Sequence, residues 1–322
     1  EAIKWMKQRQ DKGEPFFAYI ATLAPHGPHW VPARYSEPYR HLDKPGQRRG
    51  VADFFGMIAN IDENMARLDA TLAEMGLRDN TLLIFMTDNG GTGGIQVYNA
   101  GMRGAKASLY EGGHRVPFIL HWPAKIKQGS TLDVPINAMD VFPTLSEIIE
   151  APIPQDRTYD GVSLMPLLVG KPLERQRAHP FFYYNCENLQ AVRMGDWKLH
   201  LPRELKQLPF WDKNKAFVSM KAPVLYNLRT DQEETTDLAS ANPEIVHEMS
   251  ELAESMRREL GEYMQRGSRQ RRTGSVVPGA PIISHEKDWV MVAPATAETI
   301  ADERQRRHPI RKQTRPRRKK EK

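Results

Sequence analysis

The sequence predicts an α/β protein in which a doubly wound, mostly parallel sheet, incomplete at its N-terminus, precedes a smaller C-terminal α+β domain. Continuous apolar runs of strand length alternate with amphipathic helical stretches, which is the element order of an open sheet covered by helices. After about residue 180, short strands with tight turns replace this alternation. We therefore divide the chain into an α/β domain at 1–180, a small domain at 181–266 and an irregular, basic tail at 267–322.

The first part of the chain supplies the opening elements of the predicted sheet. Residues 16–23 form a continuous apolar run, which suits a strand buried on both faces, and they lead into a proline-rich loop at 24–29. A long amphipathic helix follows, because apolar residues recur at four- and three-residue spacings from Phe54 to Met75. Gly76 stands where a C-terminal cap is expected.

Two further strands and a helix complete the predicted α/β domain. The second strand covers residues 82–86 and ends abruptly before Asp88, and the third covers residues 116–122 after a glycine-rich stretch. Asp140 is predicted to cap a short helix over the apolar residues that follow it. Ligands of doubly wound sheets bind beyond the carboxyl ends of the strands. We therefore expect the polar residues that follow the first and second strands to share one edge.

The small domain is predicted from turn signals and one strongly amphipathic helix. Residues 190–201 have the pattern of a hairpin that turns at Gly195-Asp196, and residues 224–228 that of another strand. Pro243 opens a helix whose apolar residues recur on one face as far as Leu260. No sustained periodicity follows residue 267, and we expect residues 303–322 to be disordered.

Charge is unevenly distributed along the 322 residues. The net charge is +6, but residues 303–322 hold 11 Lys or Arg and two Glu, a balance of +9, so the remainder carries 6 − 9 = −3. The tail has no aromatic residue after Trp289, which argues against nucleic-acid binding. No apolar run is long enough to span a membrane, and the single cysteine, Cys186, allows no internal disulfide.

Asp88 and Asn89 are the candidate metal ligands. They follow a predicted buried strand and precede Gly90 and Gly91, which allow the backbone to approach a ligand closely. Carboxylate and amide oxygens are hard ligands that suit Ca²⁺ or Mg²⁺ rather than zinc. The alternative interpretation of the same residues is a turn that binds no metal.

Lys106 and His26 are the candidate anion-binding groups. Lys106 lies in a glycine-containing segment, where its ammonium group would suit a phosphate or sulfate oxygen, although the spacing is not that of a P-loop. His26, in the proline-rich loop, could bind an anion or act as a general acid. Taken alone, Lys106 is better interpreted as a solvated loop lysine, and a single loop histidine such as His26 more often has neither role. We interpret His29 and His114 as structural.

In their order and spacing, these segments resemble the type I, formylglycine-dependent sulfatases of the alkaline-phosphatase-like superfamily. The similarity extends over about residues 1–265. It rests on residues 16–28 with Ala24-Pro25-His26, residues 79–91 with Asp88-Asn89-Gly90-Gly91, residues 106–117 with Glu111-Gly112-Gly113, and residues 140–145, 160–164, 192–199 and 225–228.

The resemblance implies a sulfuric ester hydrolase and assigns roles to the candidate residues. By similarity, Asp88 and Asn89 ligate a divalent cation, usually Ca²⁺ with Mg²⁺ as an alternative. Lys106 contacts the sulfate, and His26 lies beside it and protonates the leaving oxygen. The implied partner is a sulfated glycan or sulfated small molecule, and the implied location is periplasmic, extracellular or lysosomal. The oligomeric state is not predicted.

The sequence departs from this family in one large respect. The family makes its formylglycine from Cys or Ser in a Cys/Ser-x-Pro-x-Arg motif upstream of the Ala-Pro-His loop, and no such motif precedes His26. A literal match, from Ser36 to Arg40, follows that loop, and we interpret it as coincidental. Because the chain also begins without Met, we expect a fragment that lacks its nucleophile and is inactive alone.

Two alternative functions stay open at this point. Phosphate or phosphonate monoester hydrolases share this fold and its metal pair, and only upstream residues would separate them from sulfatases. The other alternative is a non-catalytic relative that binds a polyanion through the basic tail.

Overall fold

The structure is a computed structural model that describes residues 1–44, 50–172, 179–185, 187–203, 219–262, 265–270, 282–284 and 290–292. Residues 1–268 form one compact unit and residues 269–322 a second. The α-helices are α1 (Ala2–Asp11), α2 (Ala33–Ser36), α3 (Val51–Glu74), α4 (Glu111–His114), α5 (Val141–Ile148), α6 (Met165–Leu168) and α7 (Pro243–Leu260). Short 3₁₀ helices occupy Glu37–Leu42, Arg78–Asn80 and Ala138–Asp140.

The described strands of the first unit form three small sheets. They are β1 (Leu83–Met86), β2 (Phe118–His121), β3 (Phe181–Asn185), β4 (Asn188–Met194), β5 (Trp197–His200), β6 (Val224–Asn227), β7 (Gly261–Glu262) and β8 (Gln265–Arg266). β1 pairs with β2, β3 to β6 pair in sequence order, and β7 pairs with β8. The second unit contributes β9 (Ile282–Ser284) and β10 (Val290–Val292), which pair with each other.

The mixed α/β class predicted from the sequence is confirmed, and every pair of these strands is antiparallel. The predicted second and third strands are β1 and β2, which align Leu83 with His121 and Met86 with Phe118. The parallel pairing predicted for the larger sheet is therefore not formed among the described residues. A parallel ladder needs a neighbour reached by a crossover connection, and the predicted first strand does not supply one.

Residues 16–23 are not a strand, contrary to the prediction from their apolar run. Phe16 and Ala18 pack against the apolar cluster between α1 and α3. Phe17 and Tyr19 are 71% and 85% exposed. Only one side of this segment, that of Phe16 and Ala18, therefore packs against the protein. An apolar run indicates a tendency to be buried, but it cannot supply the neighbouring strand whose backbone groups a ladder requires.

Helix α3 confirms the predicted amphipathic helix. Its C-terminal half buries Leu68 and Leu72 as expected, whereas Ile58, assigned to the same stripe, is 41% exposed. The helix ends as predicted, because Gly76 adopts a φ of +67° and the Leu77 N–H donates to Leu72 O over 2.9 Å. That pattern is the Schellman ending, in which a left-handed glycine reverses the chain. Helix α1, which packs against α3, has no counterpart in the predicted elements.

Asp140 occupies the position before α5, as predicted, but its carboxylate does not cap that helix. Its two oxygens instead accept the backbone amides of Asn137, over 2.8 Å, and Val162, over 2.9 Å. The fully buried carboxylate thus ties the entry of α5 to a segment 22 residues further along the chain. Asp140 therefore holds two loop segments together rather than capping α5, because its carboxylate oxygens are already hydrogen-bonded to backbone amides outside the helix.

The C-terminal region confirms the predicted α+β architecture. The β4–β5 hairpin turns at Gly195 and Asp196, with Met194 paired to Trp197, and α7 packs across β4 and β5. Burial of each large apolar side chain in such a core contributes about 1.5–3 kcal/mol. The core of this region contains Leu189, Val192, Met194, Leu199, Leu201, Leu225, Met249 and Ala253.

The domain boundaries predicted at residues 180 and 266 stay predictions. β9 and β10 lie within the tail predicted to be irregular. Cys186 and the basic residues 303–322 lie outside the described residues. Within the described part of the chain, no helix is both long and apolar enough to cross a membrane.

Candidate active site

The candidate metal residues lie in a loop after β1 that hydrogen bonds hold in shape. The Thr87 hydroxyl donates to Asn89 O over 3.1 Å, and Asn89 Nδ2 donates to Gly90 O over 2.9 Å. The Gly90 N–H in turn donates to Gly113 O over 3.0 Å. Because the nitrogen of the Asn89 amide is used within the loop, its oxygen is the end suited to a cation. Asp88 is exposed, so its carboxylate is accessible.

Glycine is required where this loop meets α4. A Cβ on Gly90 would lie 2.1 Å from Gly112 O and 2.8 Å from the carbonyl carbon of Gly113. A Cβ on Gly113 would lie 2.1 Å from Ser108 O. These neighbours are backbone atoms, which cannot rotate away as the end of a side chain can. The glycines that follow Asp88 therefore permit direct backbone contact between the loop and α4.

Lys106 is brought to the same loop by its backbone. Its N–H donates to Gly91 O over 2.9 Å, which places it beside the residues that follow Asn89. The intervening chain is shaped by Asn99, whose Nδ2 donates to Met102 O over 2.5 Å and to a second carbonyl, that of residue 104, over 3.0 Å. The Lys106 side chain is exposed. The structure thus places the backbone of Lys106, the candidate anion-binding residue, against residues 88–91, which we call the candidate metal loop.

His26 lies in the exposed proline-rich loop, where its Nδ1 is 2.8 Å from Gly27 O. No described hydrogen bond or ion pair joins it to the metal loop or to Lys106, so its role stays a prediction. His29 of the same loop does approach the glycines that follow the metal loop. Its ring would lie 3.3 Å from a Cβ on Gly93, and it packs on Phe54 with ring centroids 5.4 Å apart.

The chemistry of the donors suits Ca²⁺ in kind but not in number. Asp88 and Asn89 offer hard oxygens, whereas a Ca²⁺ site takes about six to eight oxygen ligands. Among the residues that the structure describes, no group of three or more His, Cys, Asp or Glu side chains is arranged to hold a metal. Asp88 and Asn89 would therefore be part of a larger ligand set.

A buried ionic cluster adjoins α4, and its centre is Lys198 of β5. Lys198 Nζ lies 3.0 Å from Glu111 Oε1 and 3.0 Å from Glu234 Oε1, and all three side chains are fully buried. His200 Nε2 lies 3.1 Å from Glu234 Oε1, and His114 Nε2 lies 3.1 Å from Lys198 Nζ. We call these five residues the buried cluster.

The electrostatics of the buried cluster favour ionised carboxylates on Glu111 and Glu234 and neutral imidazoles on His114 and His200. Burial raises the pKa of Glu111 and Glu234, but the hydrogen bond from His200 to Glu234 and the Lys198 charge beside both carboxylates outweigh it, and both pKa values are lowered. Burial and the Lys198 charge lower the pKa of His114 to about 4. Burial also lowers the pKa of His200. One buried ammonium group therefore faces two carboxylates.

Two guanidinium groups approach the remaining oxygen of Glu111. Its Oε2 has no hydrogen bond within the described residues but lies 3.7 Å from Arg193 and 3.9 Å from Arg115. Buried charges are expensive unless they are compensated in this way. Lys198 Nζ also lies 5.3 Å from the ring centre of Tyr183, a cation–π distance.

The residue patterns predict none of these contacts, although two positions in the sequence could have pointed to a buried ion pair. Glu111 opens the Glu-Gly-Gly segment, and Lys198 lies between Trp197 and Leu199 in a predicted strand. A lysine at such a position needs a carboxylate partner. The partner lies 87 residues away in sequence, so periodicity could not identify it.

Ser36, the serine of the coincidental motif, is part of the core. It is fully buried, and its hydroxyl accepts a hydrogen bond from Arg40 over 2.9 Å. A Cβ on Gly56 of α3 would lie 2.9 Å from the Ser36 Cα. Such packing agrees with a structural serine.

Comparison with known proteins identifies the family and the fold class of this chain. A family model for sulfatases matches residues 1–151, and a model for the C-terminal region of aryl-sulfatase matches residues 176–281. Related structures share the alkaline-phosphatase-like fold with a C-terminal domain. The chain belongs to the sulfatase family.

The individual relatives are enzymes that act on sulfate esters, as their names state. The chain is 30% identical over 262 residues to the N-acetylgalactosamine-6-O-sulfatase of Bacteroides thetaiotaomicron, covering 76% of this chain and 48% of that protein. It is 29% identical over 267 residues to human arylsulfatase A, covering 76% and 49%. A sulfatase structure from work on glycosaminoglycan metabolism by Bacteroides thetaiotaomicron aligns with a TM-score of 0.64 and 29% identity, covering 79% and 52%. The chain thus spans about half the length of these relatives.

Proposed function

We propose that the whole protein containing this chain hydrolyses sulfate esters of a carbohydrate or an aryl alcohol. Relatives named for both substrate classes support this proposal. The observation that carries it is the 2.9 Å hydrogen bond from the Lys106 amide to Gly91 O, which brings a cationic residue to the loop of Asp88 and Asn89. This combination suits a sulfate ester, because metal and ammonium charges together offset the charge of the ester group.

Each candidate residue has a distinct proposed role. Asp88 and Asn89 would supply two of the ligands of Ca²⁺, with Mg²⁺ as the alternative. A bound cation would draw negative charge from the sulfate oxygens. Lys106 would hold the sulfate and stabilise charge that develops on it in the transition state. His26 would donate a proton to the leaving oxygen.

The nucleophile is proposed to lie outside these 322 residues. No Cys/Ser-x-Pro-x-Arg motif precedes His26 in the sequence, and Ser36, in the one literal match, is fully buried. A formylglycine in an upstream segment would supply the attacking hydroxyl. We therefore propose that the chain alone does not turn over a sulfate ester. A periplasmic, extracellular or lysosomal location fits this proposal.

Turnover by the protein that carries the upstream segment tests these roles. Lys106→Ala should raise the barrier by about 2–4 kcal/mol, as for other lost electrostatic stabilisers. Lys127→Ala is the matched control, because Lys127 is also an exposed loop lysine and should leave turnover unchanged. His26→Ala should slow a sugar sulfate more than a nitrophenyl sulfate, since the activated leaving group needs no proton.

Three outcomes would contradict parts of this proposal. Equal losses on the two substrates for His26→Ala would remove the general-acid role. An unchanged rate for Lys106→Ala would place Lys106 outside the sulfate site. Faster turnover of a phosphate or phosphonate monoester than of any sulfate ester would assign the protein to the rival hydrolase class.

A further inference from the structure

We propose that Lys198 of β5 positions the candidate metal loop, residues 88–91, by holding α4 against it. The inference rests on the proposed function insofar as it concerns the metal site, because Lys198 would touch neither the metal nor the substrate. It would act through three consecutive sets of contacts.

The first set joins Lys198 to its two carboxylates. The Nζ atom lies 3.0 Å from one oxygen of Glu111 and 3.0 Å from one oxygen of Glu234, with none of the three side chains exposed. Two carboxylates brought this close in a buried site repel each other unless a cation lies between them. Lys198 is that cation, so it sets the separation of Glu111 and Glu234.

The second set joins Glu234 to α4 and to the segment before it. The other oxygen of Glu234, Oε2, accepts the Glu111 N–H over 2.6 Å. The Glu234 carbonyl accepts Arg103 Nη1 over 2.9 Å, and the Arg103 carbonyl accepts the Gly112 N–H over 2.8 Å. Glu234 therefore fixes both the first residue of α4 and the segment that leads to Lys106.

The third set joins these two segments to the metal loop. Gly113 O of α4 accepts the Gly90 N–H over 3.0 Å, and Gly91 O accepts the Lys106 N–H over 2.9 Å. The loop is thus held on both sides by backbone that Glu234 fixes. Since neither bond involves a side chain of the loop, Asp88 and Asn89 keep their own oxygens for a ligand.

A purely structural role for Lys198 would give a different result. In that case its loss would lower the stability of the whole chain evenly, as does the loss of any buried side chain. The neighbouring Leu199 provides the matched control, because it is also fully buried on β5 but belongs to the apolar core of the C-terminal sheet. Lys198→Met removes the contacts to α4, whereas Leu199→Ala leaves them in place.

Amide hydrogen exchange in the full chain tests the proposal. Lys198→Met should speed exchange of residues 88–91 and 110–115 by about tenfold more than Leu199→Ala does, while α3 behaves alike in both. Glu234→Gln, which keeps the size of the side chain but removes the charge facing Lys198, should give the same local pattern. Equal exchange of residues 88–91 in the Lys198 and Leu199 variants would overturn the proposal.

The wild-type chain provides a measurement that needs no folded variant. As denaturant is raised below the unfolding transition, the amides of Gly90, Glu111 and Lys198 should become exposed in one step. Exposure of Gly90 at a lower denaturant concentration than the other two would overturn the proposal. Calcium titration of the protein that carries the upstream segment separates this result from the proposed function: failure of that protein to bind Ca²⁺ would contradict the metal assignment, whereas exchange alone decides the role of Lys198.

Discussion

Substitution of Gly90 by alanine tests how closely the candidate metal loop packs on α4. Gly90 is not among the glycines with a positive φ, so alanine is not strained by the backbone conformation and its cost is steric. The new Cβ would lie 2.1 Å from Gly112 O, where ordinary contact begins at 3.4 Å. The loop and α4 would have to separate by about 3.4 − 2.1 = 1.3 Å. That movement would break the 3.0 Å hydrogen bond from Gly90 to Gly113.

The expected loss of stability follows from these two effects. Overpacking costs about 1–3 kcal/mol, and the lost hydrogen bond adds about 1 kcal/mol. The total of about 2–4 kcal/mol corresponds to a fall in melting temperature of roughly 3–6 °C for a chain of this size. Gly13→Ala is the control, because Gly13 has a φ of +65° and nothing within 4 Å of its Cβ position. Its left-handed backbone should cost only about 1 kcal/mol.

Thermal unfolding of both variants, followed by circular dichroism, gives the comparison. We expect Gly90→Ala to melt a few degrees below Gly13→Ala. In the protein that carries the upstream segment, Gly90→Ala should also bind Ca²⁺ more weakly, because the displaced loop carries Asp88 and Asn89. Equal melting temperatures would refute the contact between the loop and α4. Unchanged calcium affinity together with a lowered melting temperature would separate the packing of the loop from its proposed metal role.

Two further predictions concern pH and loop fixation. The free energy of unfolding should fall by up to about 3 kcal/mol as the pH drops from 6.5 to about 4, because the folded pKa of His114 is about 4 and the unfolded chain takes up the proton first. The lowered pKa of Glu111 adds a further loss of stability as the pH falls from the pKa of Glu111 in the unfolded chain through its pKa in the folded chain. Urea titrations across this pH range would measure the total loss, and His114→Gln should flatten the slope by the His114 contribution. Asp140→Ala should cost about 2–4 kcal/mol, since it leaves the amides of Asn137 and Val162 without their acceptor, and Asp140→Asn, which keeps one acceptor, should cost less.

Local sequence patterns predicted the elements whose structure depends on local contacts. Helices α3 and α7 follow from apolar spacing, and the β4–β5 hairpin follows from Gly195-Asp196 between two strand patterns. The Gly76 ending of α3 follows from the need for a left-handed residue there. In each case the interaction lies within a few residues, so the sequence displays it directly.

Contacts between distant segments account for what the sequence patterns did not predict. Residues 16–23 have the composition of a buried strand, but no described strand pairs with them. The side chains of Phe17 and Tyr19 are exposed. The contact between Glu111 and Lys198 crosses 87 residues, and no periodicity links the two. The proximity of Lys106 to the metal loop was expected from the family resemblance, and the structure shows it only for the backbone.

Diffraction from crystals of the protein that carries the upstream segment, soaked with Ca²⁺ and sulfate, is the most direct test of the proposed site. We expect an anomalous calcium peak at about 2.3–2.6 Å from side-chain oxygens of Asp88 and Asn89, with a sulfate bound by the Lys106 ammonium group and facing the His26 ring. Calcium bound elsewhere, or Lys106 and His26 on opposite sides of the loop, would contradict the assignment of this site.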